Sequence, residues 1–248
     1  LAEGANASVS VLNNSASITG NAVGIASVTT YDDLLGSEDS GKIVYFSPSF
    51  DGFSFALSYA PSDRGQSQYG ANGREITGQL LDQVSVGAAY EREFENVVVR
   101  LSGGYSSYAL DRCGTAADVQ SCEDSPHSWH AGATVRFNNV SIGGGYMNRD
   151  LVEHDAAGGD SEREDFDIGI AYLVEEIWGI SLQYGRVRQD GTDSLDETFD
   201  MVALNGSYGL GPGVSVQAQV DVGTFEDDTP GAQDKQFVEF LVGIALSF

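Results

Sequence analysis

The sequence predicts an all-β protein, an antiparallel transmembrane β-barrel, and three observations indicate it. Short segments in which apolar and polar residues alternate repeat from Lys42 to the end of the chain. The connections between these segments alternate between short turns and long polar loops. The last segment, from Val238 to Phe248, alternates over about ten residues, which is the length that a tilted strand needs to cross a bilayer.

The composition argues against membrane-spanning helices and against nucleic-acid binding. The chain has 248 residues and a mean hydropathy of -0.16, and it contains no run of about eighteen apolar residues. Any membrane crossing must therefore be made by strands, whose backbone groups are all satisfied only when the sheet closes. The net charge of -25, from 37 acidic and 12 basic residues, argues against nucleic-acid binding. An acidic pore mouth would instead concentrate cations.

Eleven strands are predicted in order along the chain. In the second strand, for example, Phe53, Phe55, Leu57 and Tyr59 share one face and small residues share the other. The predicted strands are 42–47, 53–59, 84–94, 96–105, 128–137, 140–146, 166–172, 178–184, 200–208, 214–222 and 237–248. Aromatic residues near strand ends predict interface girdles: Tyr59, Tyr90, Tyr105, Trp129, Tyr146, Tyr172 and Tyr184. A β-sandwich is the alternative, but it explains neither the terminal strand nor the alternating loop lengths.

The connections orient the chain. The predicted short turns are 47–52, 95–96, 138–139, 175–176 and 209–213. The predicted long loops are 61–82, 109–127, 148–164, 189–197 and 225–236. Outer-membrane barrels have short periplasmic turns and longer external loops. The strand from Lys42 therefore runs inward, and counting forward from it predicts that Phe248 lies on the periplasmic side.

Two segments carry a family resemblance. Gly41-Lys-Ile-Val-Tyr-Phe-Ser-Pro-Ser-Phe-Asp-Gly-Phe-Ser-Phe-Ala-Leu-Ser-Tyr-Ala-Pro61 resembles the inner hairpin of Gram-negative general porins, and it is most similar to those of alphaproteobacteria. The terminal Phe strand resembles the last strand of outer-membrane barrels, where the final aromatic is part of an assembly signal. The resemblance covers residues 41–248. It implies an outer-membrane location, a sixteen-stranded barrel, a homotrimer and an external loop folded into the lumen.

The resemblance suggests how the chain maps onto such a barrel. If 42–47 is the sixth strand, eleven strands reach the sixteenth, residues 1–40 form the inward-folded constriction loop, and about five amino-terminal strands are absent. Alternatively, 21–30 is an outward strand, which gives a self-contained twelve-stranded barrel with an even strand count. The hairpin resemblance favours the first mapping. The chain opens without a basic and apolar leader, so a signal peptide was removed or an amino-terminal part is missing.

The expected function is passive diffusion of small hydrophilic solutes and ions, with a preference for cations. No catalytic motif is present, and Ser128 with His130 is explained as two polar lumen residues, so no enzyme activity is expected. Two alternatives stay open: a barrel-anchored structural or adhesive surface protein, and a substrate-selective channel. The expected partners are solutes, outer-membrane lipid and lipopolysaccharide.

Alternation also selects the pore-lining residues. Arg100, Arg136, Arg149 and His130 are predicted to face the lumen, because a charge facing lipid near the midplane would cost several kcal/mol. The same face is predicted to carry Glu91, Asp165, Asp167, Asp221 and Glu239. The resemblance implies a transverse electric field at the constriction, with Arg100 and Arg136 on its basic side. Its acidic side is then assigned to loop residues Asp32, Asp33, Glu38 and Asp39.

Two further sites are predicted in the loops. No cofactor is expected other than calcium, for which Asp160, Glu162, Asp227 and Asp228 are low-specificity candidates because none matches an EF-hand. Cys113 and Cys122 lie in one polar segment and are predicted to form a disulfide, which suits the periplasm or cell surface. Metal binding by this pair is the weaker alternative, because no second Cys or His pair completes a tetrahedral set.

Overall fold

The computed structural model describes residues 41–62, 80–110, 126–151, 161–174, 177–190, 196–228 and 234–246. These residues form one antiparallel sheet whose eleven strands follow chain order. The strands are β1 Ile43–Phe46, β2 Phe53–Ser62, β3 Leu80–Phe94, β4 Val97–Leu110, β5 His127–Phe137, β6 Val140–Leu151, β7 Ser161–Val174, β8 Trp178–Asp190, β9 Asp196–Gly211, β10 Val214–Asp227 and β11 Lys235–Leu246. All eleven predicted strands are confirmed. The rival first strand, 21–30, lies outside the described residues.

The sheet is continuous from its first strand to its last. Each strand pairs with the next along the chain, and within the described ranges β1 pairs with β2 alone and β11 with β10 alone. Those two strands are therefore the edges of the sheet in this part of the molecule. Among the same residues, no helix is long and apolar enough to cross a membrane.

The strands are longer than predicted at the ends that face the long loops. β6 continues to Leu151 and β7 begins at Ser161, so the predicted loop 148–164 is wrong at both of its ends. The physical reason is that strands pair through backbone groups, whatever their side chains are. Apolar and polar residues alternate only where one face of the sheet contacts lipid, so the alternation predicts only that part of each strand. Beyond the membrane both faces are wetted, and the alternation disappears while the pairing continues.

The two faces of the sheet differ in polarity, and we call the more buried one the inner face. On β7, Asp165 and Asp167 are 0% and 1% exposed. Ile168, on the opposite face of the same strand, is 49% exposed. The outer face of β11 carries Val238, Phe240, Val242 and Ile244, all highly exposed. Polar residues inside and apolar residues outside reverse the arrangement of a water-soluble protein. This reversal is the pattern of a sheet with its outer face in lipid.

Aromatic side chains mark both margins of this apolar outer band. The seven residues predicted for the girdles all lie on the outer face, with Tyr90 and Tyr172 at the short-turn end and the other five at the long-loop end. Several pack across neighbouring strands: the ring centroids of Trp129 and Tyr146 are 5.0 Å apart, and those of Tyr172 and Trp178 are 5.5 Å apart. The predicted girdle positions are therefore confirmed.

The first short turn shows why the segment Ser47-Pro-Ser-Phe-Asp-Gly52 has its sequence. Phe50 and Phe53 exchange two backbone hydrogen bonds, and between them Asp51 and Gly52 both have positive φ, 51° and 89°. Positive φ at both central positions defines a type I′ turn, in which Asp-Gly is a preferred pair. The Gly52 carbonyl then accepts a hydrogen bond from the Glu91 amide at 2.8 Å. This turn therefore ties β2 to β3 as well as closing the first hairpin.

Replacing Gly52 with Ala should destabilise this turn. An added Cβ would lie 2.2 Å from the Glu91 carbonyl oxygen, at a φ that L-residues rarely adopt. We expect a loss of about 1–3 kcal/mol in the free energy of unfolding. Denaturant unfolding in lipid vesicles, followed by tryptophan fluorescence, measures it. Gly243→Ala is the matched control, because its Cβ would meet no atom within 4 Å. Equal stability of the two variants would contradict the assigned role of Gly52.

Candidate functional site

The inner face combines charged side chains with a background of very small ones. In the register row of Arg100, the neighbouring strands carry Thr134, then Gly143, then Gly169. Because two of these three positions have no side chain beyond hydrogen, the charged groups beside them stand clear of the wall. A water-filled space next to this face would therefore be shaped mainly by its few long side chains.

Arg100 lies on β4 of the inner face and pairs with Glu91 on β3. The two residues are direct register partners, and the guanidinium donates through Nε to Oε2 at 2.8 Å and through its terminal nitrogen to Oε1 at 3.4 Å. Both side chains are about half exposed. Arg136 lies on β5 one diagonal step away, since its register partner Val98 is two residues from Arg100. The structure thus brings the two predicted arginines together on one face.

A second arginine–carboxylate pair is deeply buried. The Arg163 guanidinium donates two hydrogen bonds to the Asp165 carboxylate, both at 2.8 Å, and the side chains are 6% and 0% exposed. Predicted Arg149 is the register partner of Arg163 on the adjacent strand and has the same facing. Arg163 was not predicted, because its segment was interpreted as part of an acidic loop. The signal that could have placed it on this face is its spacing of two residues from Asp165 and of four from Asp167.

His130 faces inward as predicted, and its position depends on a glycine. It is the register partner of Gly104, where a Cβ would lie 2.5 Å from Cε1 of the imidazole. The ring therefore lies over the backbone of β4. The residue is 7% exposed, and its Nδ1 has no hydrogen-bond partner in the described part of the chain. This packing fits a structural role for His130 in the wall.

An apolar cluster on the inner face was missed by the sequence analysis. It consists of Val187, Phe199, Met201 and Phe225, with Phe237 packed against them. The Phe199 and Phe237 rings are stacked with centroids 5.8 Å apart, and Nζ of Lys235 lies 5.4 Å from the Phe225 ring centroid. Phe199 and Phe225 fall outside the predicted strand limits, so their inward facing was not assigned.

Acidic residues lie on the inner face of the last two strands. Asp221 on β10 and Glu239 on β11 are direct register partners. Gln219 Nε2 donates to both oxygens of Asp221, at 2.8 and 2.7 Å. This acidic pair is six strands along the sheet from the basic pair, Arg100 and Arg136. The strands between them carry mostly uncharged side chains in the same register row, including Gly143, Gly169, Gln183 and Ala203.

Charged side chains also occur on the outer face, and in the described strands they lie beyond the aromatic margin. Arg186 donates to both oxygens of Asp200, at 2.8 and 2.9 Å, and the Tyr184 hydroxyl donates to the same carboxylate. Arg188 continues this line toward the long loop, where Nε lies 2.9 Å from Asp190. A charged side chain at this height is outside the hydrocarbon layer and avoids the cost of burial in lipid.

The predicted loop sites are only partly within the described residues. Glu162 lies in β7, where its carboxylate accepts a hydrogen bond from the Asn148 amide, and Asp227 and Asp228 lie at the end of β10, three strands away. The described ranges contain no group of three or more His, Cys, Asp or Glu residues arranged to hold a metal ion. Outside those ranges lie the remaining candidates: Asp32, Asp33, Glu38, Asp39, Asp160, Cys113 and Cys122.

The polar inner face, the apolar outer face and the aromatic margins together describe the wall of a membrane barrel. A family model described as Gram-negative porin matches residues 3–228. The chain belongs to this porin family. Its barrel is therefore an outer-membrane barrel, as predicted, and the family match supports the expectation that it is not an enzyme.

Solved structures show the same fold at low sequence identity. The anion-selective porin from Comamonas acidovorans matches with a TM-score of 0.58 and 16% identity, covering 84% of this chain and 59% of that one. A porin structure refined at 1.8 Å resolution matches with a TM-score of 0.56 and 20% identity, and the match covers 91% of this chain and 68% of that one. The trimer form of OmpT from Vibrio cholerae matches with a TM-score of 0.53 and 16% identity, and the match covers 87% of this chain and 66% of that one. None of the curated proteins matches the sequence.

These comparisons relate the described sheet to a complete porin. The chain spans 59% of the length of the Comamonas porin it resembles. In a porin barrel the inner face of the sheet lines the lumen and the outer face contacts lipid. Arg100, Arg136, Arg149 and His130 lie on the inner face of the sheet in this chain.

Removing one member of the buried pair should destabilise the porin more than removing both. Arg163→Met leaves the buried Asp165 carboxylate without its guanidinium, and we expect a loss of about 3–5 kcal/mol in the free energy of unfolding. Changing both residues, to Met and Leu, removes both charges and should cost far less. Denaturant unfolding of wild type, of these two variants and of Asp165→Leu alone measures the coupling energy.

The exposed pair supplies the control for that cycle. Arg100→Gln should cost no more than about 1 kcal/mol, since solvent screens the remaining Glu91. If Arg163→Met were as mild as Arg100→Gln, the burial of the Arg163–Asp165 pair would not govern its energy.

Proposed function

We propose that the complete protein is an outer-membrane porin that forms a water-filled channel for passive diffusion of small hydrophilic solutes and ions. The observation that carries this proposal is the inverted wall: the half-exposed ion pair of Arg100 and Glu91 lies on the inner face, and exposed residues such as Ile168 and Ile170 lie on the outer face. A lumen lined by ionised groups holds water, and solutes enter it without chemistry or an energy source. Family membership supports the same function.

We further propose that the channel prefers cations. The net charge of -25 raises the local concentration of cations near the mouth. The Comamonas porin is described as anion-selective, so the fold itself does not determine the sign of selectivity. In this chain the acidic pair Asp221 and Glu239 lies on the wall and adds to the effect.

The narrowest part of the channel is assigned to residues 1–40, folded into the lumen as a constriction loop. Its acidic residues Asp32, Asp33, Glu38 and Asp39 would face Arg100 and Arg136 across the pore and create a transverse field. Support for the basic side comes from the adjacency of the two arginines on β4 and β5. In the register row of Arg100, the strands between the arginines and the acidic pair Asp221 and Glu239 carry uncharged residues.

We also propose that the protein is a homotrimer set among lipopolysaccharide. The trimer form of the Vibrio cholerae protein OmpT supports the first part. For the second part, the outer face above the aromatic margin carries acidic groups such as Glu164, Asp200 and Glu226. Divalent cations, calcium among them, would bridge these carboxylates to the anionic head groups.

Planar-bilayer recording tests the channel directly. The purified full-length protein should insert in steps of uniform, ohmic conductance, and a salt gradient should give reversal potentials that favour cations. A barrel that inserts without conducting would contradict the porin function and favour a surface-anchoring role. Block by one solute at low concentration would indicate a substrate-selective channel.

Neutralising the two arginines should change selectivity. Arg100→Gln with Arg136→Gln removes two positive charges from the lumen wall, so we expect higher cation preference and unchanged or higher conductance, with trimers intact on native gels. Arg92→Gln is the matched control, because Arg92 lies on the outer face beside Asp51. If the double variant and the control have the same reversal potential, the arginines do not lie at the constriction.

A further inference from the structure

A second group of polar side chains on the inner face has a composition unlike the arginine sites. It spans β9 to β11 and consists of Asn205, Gln219, Asp221 and Glu239. Gln219 is the register partner of Asn205, and Asp221, two residues further along β10, is the register partner of Glu239. All four therefore project from adjacent positions on the lumen side of the wall. We call this group the amide–carboxylate cluster.

The amides of this cluster are buried without sufficient partners. Asn205 is 1% exposed, and among the described residues neither its Oδ1 nor its Nδ2 has a hydrogen-bond partner. Gln219 is 2% exposed, and its Oε1 has none in the same part of the chain. A buried polar group left unsatisfied costs about 1–3 kcal/mol, so such groups in a native protein usually bind an ordered water or a ligand. At least two amide oxygens are thus available beside the carboxylates.

The charge of Asp221 is balanced differently from that of Asp165, another buried carboxylate on this face. Asp165 receives a bidentate guanidinium, whereas Asp221 is completely buried and, among the described residues, accepts its hydrogen bonds from the neutral Gln219 amide alone. Among the described strands β8 to β11, the basic residue on the inner face is Lys235, which lies four residues from Glu239 and contacts the Phe225 ring. A buried carboxylate requires a compensating positive charge or a proton.

We propose that the amide–carboxylate cluster binds one small, oxygen-preferring cation of the alkaline-earth class. Carboxylate and amide-carbonyl oxygens are the ligands that such cations take in proteins, and water beside the partly exposed Glu239 completes the coordination shell. The cation supplies the positive charge that Asp221 lacks, and it gives the amide oxygens of Asn205 and Gln219 a partner. Binding itself does not depend on the proposed channel function; a role in permeation does.

Calorimetry on the full-length protein tests the binding. The detergent-solubilised trimer is stripped with a chelator and titrated with calcium chloride as the probe. Wild type should show one site per chain that is at least tenfold weaker in Asp221→Asn. Glu93→Gln removes one carboxylate from β3, seven strands along the sheet from β10, and should leave this site unchanged. Equal affinities in wild type and Asp221→Asn would place the bound calcium elsewhere and overturn the proposal.

A second variant tests the amide without changing any charge. Asn205→Leu is nearly isosteric and removes an unsatisfied buried group, so the barrel should fold at least as well without calcium. In the presence of calcium it should lose the stabilisation that a bound ligand gives to wild type. Gln83→Leu, a buried inner-face amide on β3, is the control and should keep that stabilisation. If Asn205→Leu is stabilised by calcium as strongly as wild type, Asn205 is no ligand and the proposal is wrong.

Bilayer recording separates this proposal from the channel function. Calcium should reduce the potassium current of wild type at concentrations at least tenfold lower than those needed for Asp221→Asn. If calcium blocks both channels equally, a site in the permeation path is excluded. If the protein binds calcium at the cluster but does not conduct, the channel function fails and the cation site stands.

Discussion

Everything in this sheet depends on one constraint: a strand inside a membrane must pair all of its backbone donors and acceptors with its neighbours, because lipid offers none. In the described ranges, the continuous antiparallel register satisfies that constraint for β2 to β10, each of which pairs on both sides, whereas β1 and β11 pair on one side. Pairing also locks every side chain to one of two faces, since the strand repeat is two. The chemistry of the wall is therefore decided residue by residue along the chain. A register slip of one position would turn Asp165 toward lipid.

That division of faces explains where the charges lie. Inside the membrane thickness, charged side chains are on the lumen face, as for Arg100 and Asp221. On the outer face they begin beyond the aromatic margin, where Arg186 and Asp200 form a bidentate pair just past Tyr184. The tyrosine hydroxyl joins this pair by donating to the same carboxylate. The margin is thus a polar boundary as well as an aromatic one, because each tyrosine presents its ring to lipid and its hydroxyl to water.

The sequence predicted the strands and their facing because both follow from a period of two. Arg100, Arg136 and Arg149 could be assigned inward from alternation alone, and the turn at Asp51-Gly52 from its residues. The limits of the strands could not be predicted in the same way, because alternation ends where lipid ends. Arg163, Phe199 and Phe225 lie in those continuing strands, and they were missed for that reason. The lack of a partner for Asn205 depends on how the side chains of β9 and β10 pack together, which no periodicity reports.

Buried carboxylates on the inner face are held in two different ways, by an arginine or by an amide, and the two ways leave different charges on the wall. An arginine beside an acid, as in Arg163–Asp165, neutralises it permanently and leaves little charge for a passing ion. An amide beside an acid, as in Gln219–Asp221, orients the carboxylate but leaves its charge uncompensated. Arg100 lies beside Glu91, which offsets its charge, whereas Asp221 and Glu239 are direct partners of the same sign. In the register row of Arg100, uncharged residues separate the two groups. The inner face is therefore more acidic near β10 and β11 than near β4 and β5.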